Sequence, residues 1–164
     1  MELLLTLDEN NYTDDMPLIE TTTVRAILRR NGKYGMQRSA AGWYKIPGGG
    51  MEGDESHADT LLREVGEEIG EEIIPESMTP LGKIIELRED RKSKGHKFVR
   101  HTLYYACEVT GRQLPLHMTA SEEKLGFTPV WADISEIIDA NHALFCDRDT
   151  DFLEMIVSGR ITLP

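Results

Sequence analysis

The stretch PGGGMEGDESHADTLLREVGEEIGEE, Pro47 to Glu72, decides how the rest of the chain is read. Its second half reads as a helix from about Ser56 to Gly70, with Ser56 suited to the N-cap and Gly70 to the stop. The spacing places Glu64, Glu67, Glu68 and Glu71 at i, i+3, i+4 and i+7, along one helical face. Like charges at those separations repel and weaken a helix. At about 100° per residue the four carboxylates fall within an arc of roughly 100°, while Ala58, Leu61, Leu62, Val65 and Ile69 fill another. The core face is therefore well defined, and the carboxylates are left crowded beside it, in need of a counter-charge or water.

Two readings fit the helix taken alone. In a chain with 29 Asp and Glu against 18 Lys and Arg, formal charge −11, a solvated acidic face is common. A divalent cation is the other, since Mg²⁺ binds carboxylates, water and phosphate oxygens. The neighbouring residues favour the cation. Gly48, Gly49 and Gly50 bring backbone groups to the same place, and Glu55 with Arg63 supplies an ion pair that ties this loop to the helix.

Working outward, MELLLTL reads as a first strand, DENNYTDDMP as a turn, and IETTTVRAILRR as a strand rich in β-branched residues. Asn31-Gly32 is a hairpin signal leading to MQRS, and WYKI is a short strand that ends at Pro47. LGKIIELRED and FVRHTLYYACEV form two strands joined by a basic connection, and TPVWADI is another. ISEIIDANHALF and TDFLEMIVSG finish as helices. Strands interrupted by one central helix and closed by terminal helices predict an α/β fold, a mixed sheet covered on both faces. No repeat, low-complexity tract or composition shift divides the chain, so residues 1–164 are expected to form one domain.

The net negative charge disfavours nonspecific binding to a nucleic-acid backbone. No stretch has the length of a membrane span, and Glu2 stands where a signal peptide would be basic. Cys107 and Cys146 are too few for a disulfide framework and form no zinc pattern, so two reduced, buried thiols and a cytoplasmic location are expected.

Gly49, five residues, Glu55, seven residues, then REVGEEIG from Arg63 to Gly70 resembles the box of the Nudix hydrolase family, G-x5-E-x7-R-E-U-x-E-E-x-G-U, where U is a bulky aliphatic residue. Every fixed position matches, and Val65 satisfies the first U; Glu71 stands where the last aliphatic residue is usual. The preceding VRAILRRNGKYGMQRSAAGWYKIPGGG is similar to the strand, hairpin and glycine-rich lead-in of MutT-like members. The resemblance is clear from about Thr21 to Gly70 and continues only in the order of elements.

The resemblance implies a Nudix-type α/β/α sandwich and hydrolysis of a nucleoside diphosphate linked to another moiety. Carried over by motif position, Glu64, Glu67 and Glu68 would hold Mg²⁺ or Mn²⁺, and one of them, or a carboxylate elsewhere, would help deprotonate the attacking water. Gly48 and Gly49 would offer a carbonyl to the metal and amides to phosphate; Glu55 and Arg63 would orient the loop. Outside the box, Glu122 or Glu123 in SEEK is a candidate fourth ligand or base, with solvated loop charge as the plainer reading.

Arg38, whose strand leads into the glycine turn, is a candidate phosphate contact. Arg88, Arg91, Lys92, Lys94, Lys97 and Arg100 hold a third of all Lys and Arg; they would attract a polyphosphate or an RNA 5′ end, or merely keep a hairpin tip soluble. Tyr34, Trp43, Tyr44, Phe98 and Phe127 are stacking candidates or core, and His57 reads as a first-turn residue. A small nucleotide substrate, with a nucleoside triphosphate, oxidised forms included, as the leading choice, is set against a second class: a nucleotide- or RNA-binding module without turnover. The leading strand is free to pair in its own sheet or across a homodimer.

Overall fold

Leu3–Asp8 forms β1, and Leu18–Arg30 forms the long β2, whose Thr21, Thr22, Thr23, Val24 and Ile27 suit a pleated surface. Asn31 and Gly32 both take positive φ, 51° and 77°, the two-residue turn whose twist matches that of the strands it joins. It leads into β3, Lys33–Arg38, and β4, Tyr44–Lys45, follows. Helix α1 is His57–Ile69, then come β5 (Glu71–Ile73), a 3₁₀ turn at Pro75–Ser77, β6 (Thr79–Glu89), β7 (Lys97–Cys107) and β8 (Val109–Gln113). Helix α2 (Ala120–Leu125), β9 (Thr128–Ala132), α3 (Ile134–Ala143) and α4 (Thr150–Val157) complete the order. The computed structural model describes residues 1–145 and 149–164.

The main sheet has the order β1-β6-β7-β2-β3-β4, with β9 also paired to β3. β1 runs parallel to β6 and β2 parallel to β7, whereas β6 and β7 are antiparallel, so the sheet is mixed as expected. The leading strand thus pairs within its own chain. Alternation along β2 sends Val24, Ala26 and Leu28 to one face, against Leu61, Val65 and Ile69 of α1. Ile27 points to the other, where Ile137, Phe152 and Leu153 of α3 and α4 lie and Phe152 stacks on Tyr104 with centroids 3.7 Å apart. Burying each such side chain contributes about 1.5–3 kcal/mol, which is why the helices sit on opposite faces of the sheet. No helix among the described residues is long and apolar enough to cross a membrane.

The chain departs from the sequence reading in three places. Glu71 is not on the helical face: Gly70 takes φ 72°, ends α1, and Glu71 opens β5, which pairs with β8 in a separate two-stranded sheet. There Glu71 is buried and bonds Arg30 Nη2 at 2.6 Å, while the Arg30 guanidinium lies 4.0 Å over the Trp131 ring. An ion pair capped by an aromatic face thus fills the place of the usual aliphatic residue. Arg30→Ala is expected to lower stability by about 2 kcal/mol because it strands a buried carboxylate, whereas Glu71→Leu should change it by less than about 1 kcal/mol; urea denaturation of both variants checks this.

The second departure is SEEK, which is helical. Thr119 and Glu122 form a reciprocal capping box that starts α2. The third is the segment after Cys107, which leaves the main sheet to form β8 instead of prolonging β7. Cys107 is buried, and burial pushes its thiol up to about 12. The matching expectation for Cys146 falls outside the described residues.

Candidate active site

The glycine turn is built from both sides. On one side it follows β2: Ala26 N–H donates to Pro47 O and Val24 N–H to Gly49 O, each at 2.9 Å. On the other, β4 has no further strand beside it among the described residues, and side chains from the helical layer satisfy its outer edge. Asn141 Oδ1 accepts from Tyr44 N–H at 2.7 Å, Asn141 Nδ2 donates to Tyr44 O at 3.1 Å, and Asp149 Oδ2 accepts from Ile46 N–H at 2.9 Å. Beneath the turn the buried Arg25 donates to Ile46 O and to Gly48 O, with its Nε 4.0 Å from Asp149 Oδ1.

Two glycines in this turn are required for different reasons. Gly48 has φ 129°, and a Cβ there would collide with the Val24 carbonyl oxygen, which is backbone and cannot yield. At Gly49 a Cβ would collide with the Glu64 carboxylate, which can move. Gly48→Ala is therefore expected to destabilise the chain by about 3 kcal/mol or more. Gly49→Ala should cost less than about 1 kcal/mol of stability yet lower activity at least about tenfold, by displacing Glu64. Thermal melts paired with turnover assays separate the two.

Helix α1 begins at the Ser56 cap, with Asp59 returning the bond to complete a capping box. Glu55 and Arg63 meet as the sequence suggests, Nε to Oε1 at 2.8 Å and Nη2 to Oε2 at 2.9 Å, and Nη2 also reaches Gly50 O at 3.2 Å. The hydrogen bonds from Arg63 hold the Glu55 carboxyl down at about 2. Arg63 Nη1 donates to Glu64 Oε1 at 2.7 Å and lies 3.8 Å from Glu67 Oε2. Glu67 has the most open of the three box side chains, 37% exposed against 15% for Glu64 and 3% for Glu68.

Glu68 is in a different setting. Its Oε2 accepts from Gly48 N–H at 2.7 Å and its Oε1 from Lys45 Nζ at 2.6 Å. Lys45 Nζ also lies 3.1 Å from Glu122 Oε1, so α2 delivers Glu122 to the box helix. The other Glu122 oxygen is engaged at the α2 cap, accepting from Thr119 N–H at 2.9 Å. Burial raises Glu68 against the pull of Lys45. Burial also opposes ionisation of Glu122, but the hydrogen bond shared with Glu68, the cap contacts and Lys45 leave it lowered. Glu123, by contrast, is exposed.

Among the described residues no three His, Cys, Asp or Glu side chains are gathered into a ready metal cage. The carboxylates are instead divided between two cations, Glu55 and Glu64 on Arg63, Glu68 and Glu122 on Lys45. As donors they are hard oxygens on adjoining elements, a set that suits Mg²⁺ or Mn²⁺ once the cations yield.

Lys45 carried no mark in the sequence beyond its place two residues before Pro47. Its position follows from register: Gln37 pairs with Lys45 and Arg38 with Tyr44, so the two pairs point to opposite faces. Arg38 is therefore on the α3 side, its guanidinium 5.8 Å from the Tyr44 ring, and is not brought to the carboxylates. Tyr34, Tyr44, Phe98 and Phe127 are buried, and Trp43 meets Phe127 edge to face at 4.9 Å. His57 opens α1 and bonds the Tyr105 hydroxyl at 2.6 Å.

Among the described residues, five of the six cations of the basic hairpin, all but Lys92, are paired with carboxylates where they stand. Arg88 is buried against Phe98, with Glu86 at 2.6 Å and Asp90 at 3.6 Å. Arg91 pairs with Glu9 at 2.9 Å, Lys94 with Glu89 at 3.3 Å, Lys97 with Asp14 at 2.8 Å and Arg100 with Glu86 at 3.5 Å. A cavity of about 640 Å³ lies elsewhere, between Arg29, Cys107 and Leu163, and no box residue lines it.

The NUDIX domain family model matches residues 20–153. The chain belongs to the Nudix hydrolase family. Solved Nudix structures share the fold: a NUDIX hydrolase from Nitrosomonas europaea is 20% identical with a TM-score of 0.56, over 82% of this chain and 90% of that one. A MutT protein from Methanosarcina mazei is 19% identical with a TM-score of 0.54, over 90% and 99%. A MutT protein from Bacillus halodurans is 21% identical with a TM-score of 0.53, over 73% and 72%. No curated protein matches. With the Nudix box running through the glycine turn and α1, Glu55, Glu64, Glu67 and Glu68 occupy its acidic positions.

Proposed function

We propose that this Nudix chain is a metal-dependent pyrophosphohydrolase acting on a nucleoside diphosphate linked to another group, with nucleoside triphosphates, oxidised forms included, as the leading substrates. The observation that carries the reading is the complete set of box carboxylates, Glu64, Glu67 and Glu68, on one helix beside the glycine turn, with Glu122 brought to them by α2.

Glu64, Glu67, Glu68 and Glu122 are the residues that would hold Mg²⁺ or Mn²⁺. When bound, the ion would neutralise phosphate charge and polarise the scissile phosphorus. Water attacks that phosphorus as the bridging P–O bond breaks, and the water's proton passes to a carboxylate. Glu67, the most open of the three, is the proposed acceptor. Glu55 and Arg63 keep the turn against α1, and the turn's remaining amides are available to phosphate.

The competing binding-module reading relied on the basic hairpin, five of whose six cations are paired with carboxylates of residues 9–14 and 86–90. Triphosphorylated RNA is therefore a weak candidate, and a cytoplasmic nucleotide pool is the proposed source of substrate. The test is a Mg²⁺-dependent hydrolysis panel of nucleoside triphosphates, oxidised nucleotides, ADP-ribose, nucleotide sugars, dinucleoside polyphosphates and triphosphorylated RNA, with products identified. Turnover of one class assigns the substrate; tight binding without turnover across the panel would reject the hydrolase reading.

A further inference from the structure

The two cations of the site are held in unlike ways. Arg63 is fixed by a rigid fork of contacts to Glu55, Glu64 and Gly50. Lys45 is a compact ammonium on a flexible stem, placed where the carboxylates of α1 and α2 converge, 2.6 Å from Glu68 and 3.1 Å from Glu122. The opposite oxygens of both carboxylates are already engaged, by Gly48 N–H and by Thr119. The oxygens that face each other across the gap are thus the ones a divalent ion would need, and an ammonium stands on them.

We propose that Lys45 is a tethered competitor for the metal. In the metal-free chain it holds Glu68 and Glu122 together, its ammonium 2.6 and 3.1 Å from their facing oxygens. Once a divalent ion takes those oxygens, the ammonium loses both partners. At 18% side-chain exposure it requires another anion, and the entering phosphate is the matching one. Metal and polyphosphate then bind cooperatively, because each relieves a cost that the other would meet alone. Lys45 is in this sense a positioning residue, acting through the carboxylates on the metal and directly on the phosphate only after displacement. The inference rests on the metal-dependent reading above.

The test is a Mn²⁺ titration of the full chain without nucleotide, free Mn²⁺ being read by electron paramagnetic resonance, for wild type, Lys45→Met and Lys45→Arg. Lys45→Met is expected to tighten Mn²⁺ by about tenfold, while Lys45→Arg, which keeps the charge, stays near wild type. In kinetics Lys45→Met should raise KM for the nucleotide about tenfold, with a smaller change in kcat. Lys45→Gln, uncharged but still a donor to Glu68, replaces the Met variant if that one does not fold. Wild type that binds Mn²⁺ and a folded variant that binds it equally or more weakly would overturn the role of Lys45 alone. Absence of Mn²⁺ binding by every chain would instead take down the metal-dependent reading, and this inference with it.

Discussion

Glu67→Gln combined with Glu68→Gln is expected to lower kcat by at least about 10³ and to leave nucleotide binding at its metal-free level. Both changes are isosteric, and a glutamine at position 68 still accepts from Gly48 N–H, so the glycine turn keeps its bond. Lys45 retains Glu122, and Arg63 retains Glu55 and Glu64, so the fold should melt within a few degrees of wild type. What disappears is the charge that binds a divalent ion and takes up a proton. Product release measured on the substrate found by the panel, with calorimetric binding of the same nucleotide, reads the two effects separately. A double variant that keeps turnover within about tenfold would remove these carboxylates from the chemistry.

A loss of stability of about 3 kcal/mol is expected from Arg25→Met. Arg25 is buried, faces Asp149, and donates to the carbonyls of Ile46 and Gly48, so one side chain joins the core of the sheet, the start of α4 and the glycine turn. Its removal leaves Asp149 buried without a cation and two turn carbonyls without a donor. Adding Asp149→Leu should recover part of the loss by removing the stranded carboxylate, although Ile46 N–H then lacks its acceptor. Urea denaturation of the two single variants and the double variant gives the coupling. A cost below about 1 kcal/mol for Arg25→Met would mean that water enters and replaces the guanidinium.

Local signals served well where local chemistry governs. Ser56 and Gly70 bound α1 as read, because a cap and a left-handed stop act within one turn of the helix. The Asn31-Gly32 hairpin is equally local. The misplaced features depend on distant partners. Glu71 looked helical by spacing, but Gly70 reverses the chain, and Arg30 with Trp131 makes a buried carboxylate tolerable. Lys45 reaches the carboxylates and Arg38 does not because of the β3–β4 register, and a shift of β4 by one residue would turn Lys45 to the α3 side. Arg91 and Lys97 of the basic hairpin looked free because their carboxylates, Glu9 and Asp14, stand 82 and 83 positions earlier. A capping box of Thr119 and Glu122 was present in the sequence but spans only six helical residues, too few for periodicity to register.

The side chains of Asn141 and Asp149 along β4 make the candidate active site a shared property of two distant parts of the chain. They act as a substitute strand: four residues of lead-in, Tyr44 to Pro47, are held in line by groups about a hundred positions away. A chain trimmed after Ala132 would retain every residue of the box and lose the only described partners of that outer edge. The box is portable as text, but the shape that makes it a site is on loan from α3 and the start of α4.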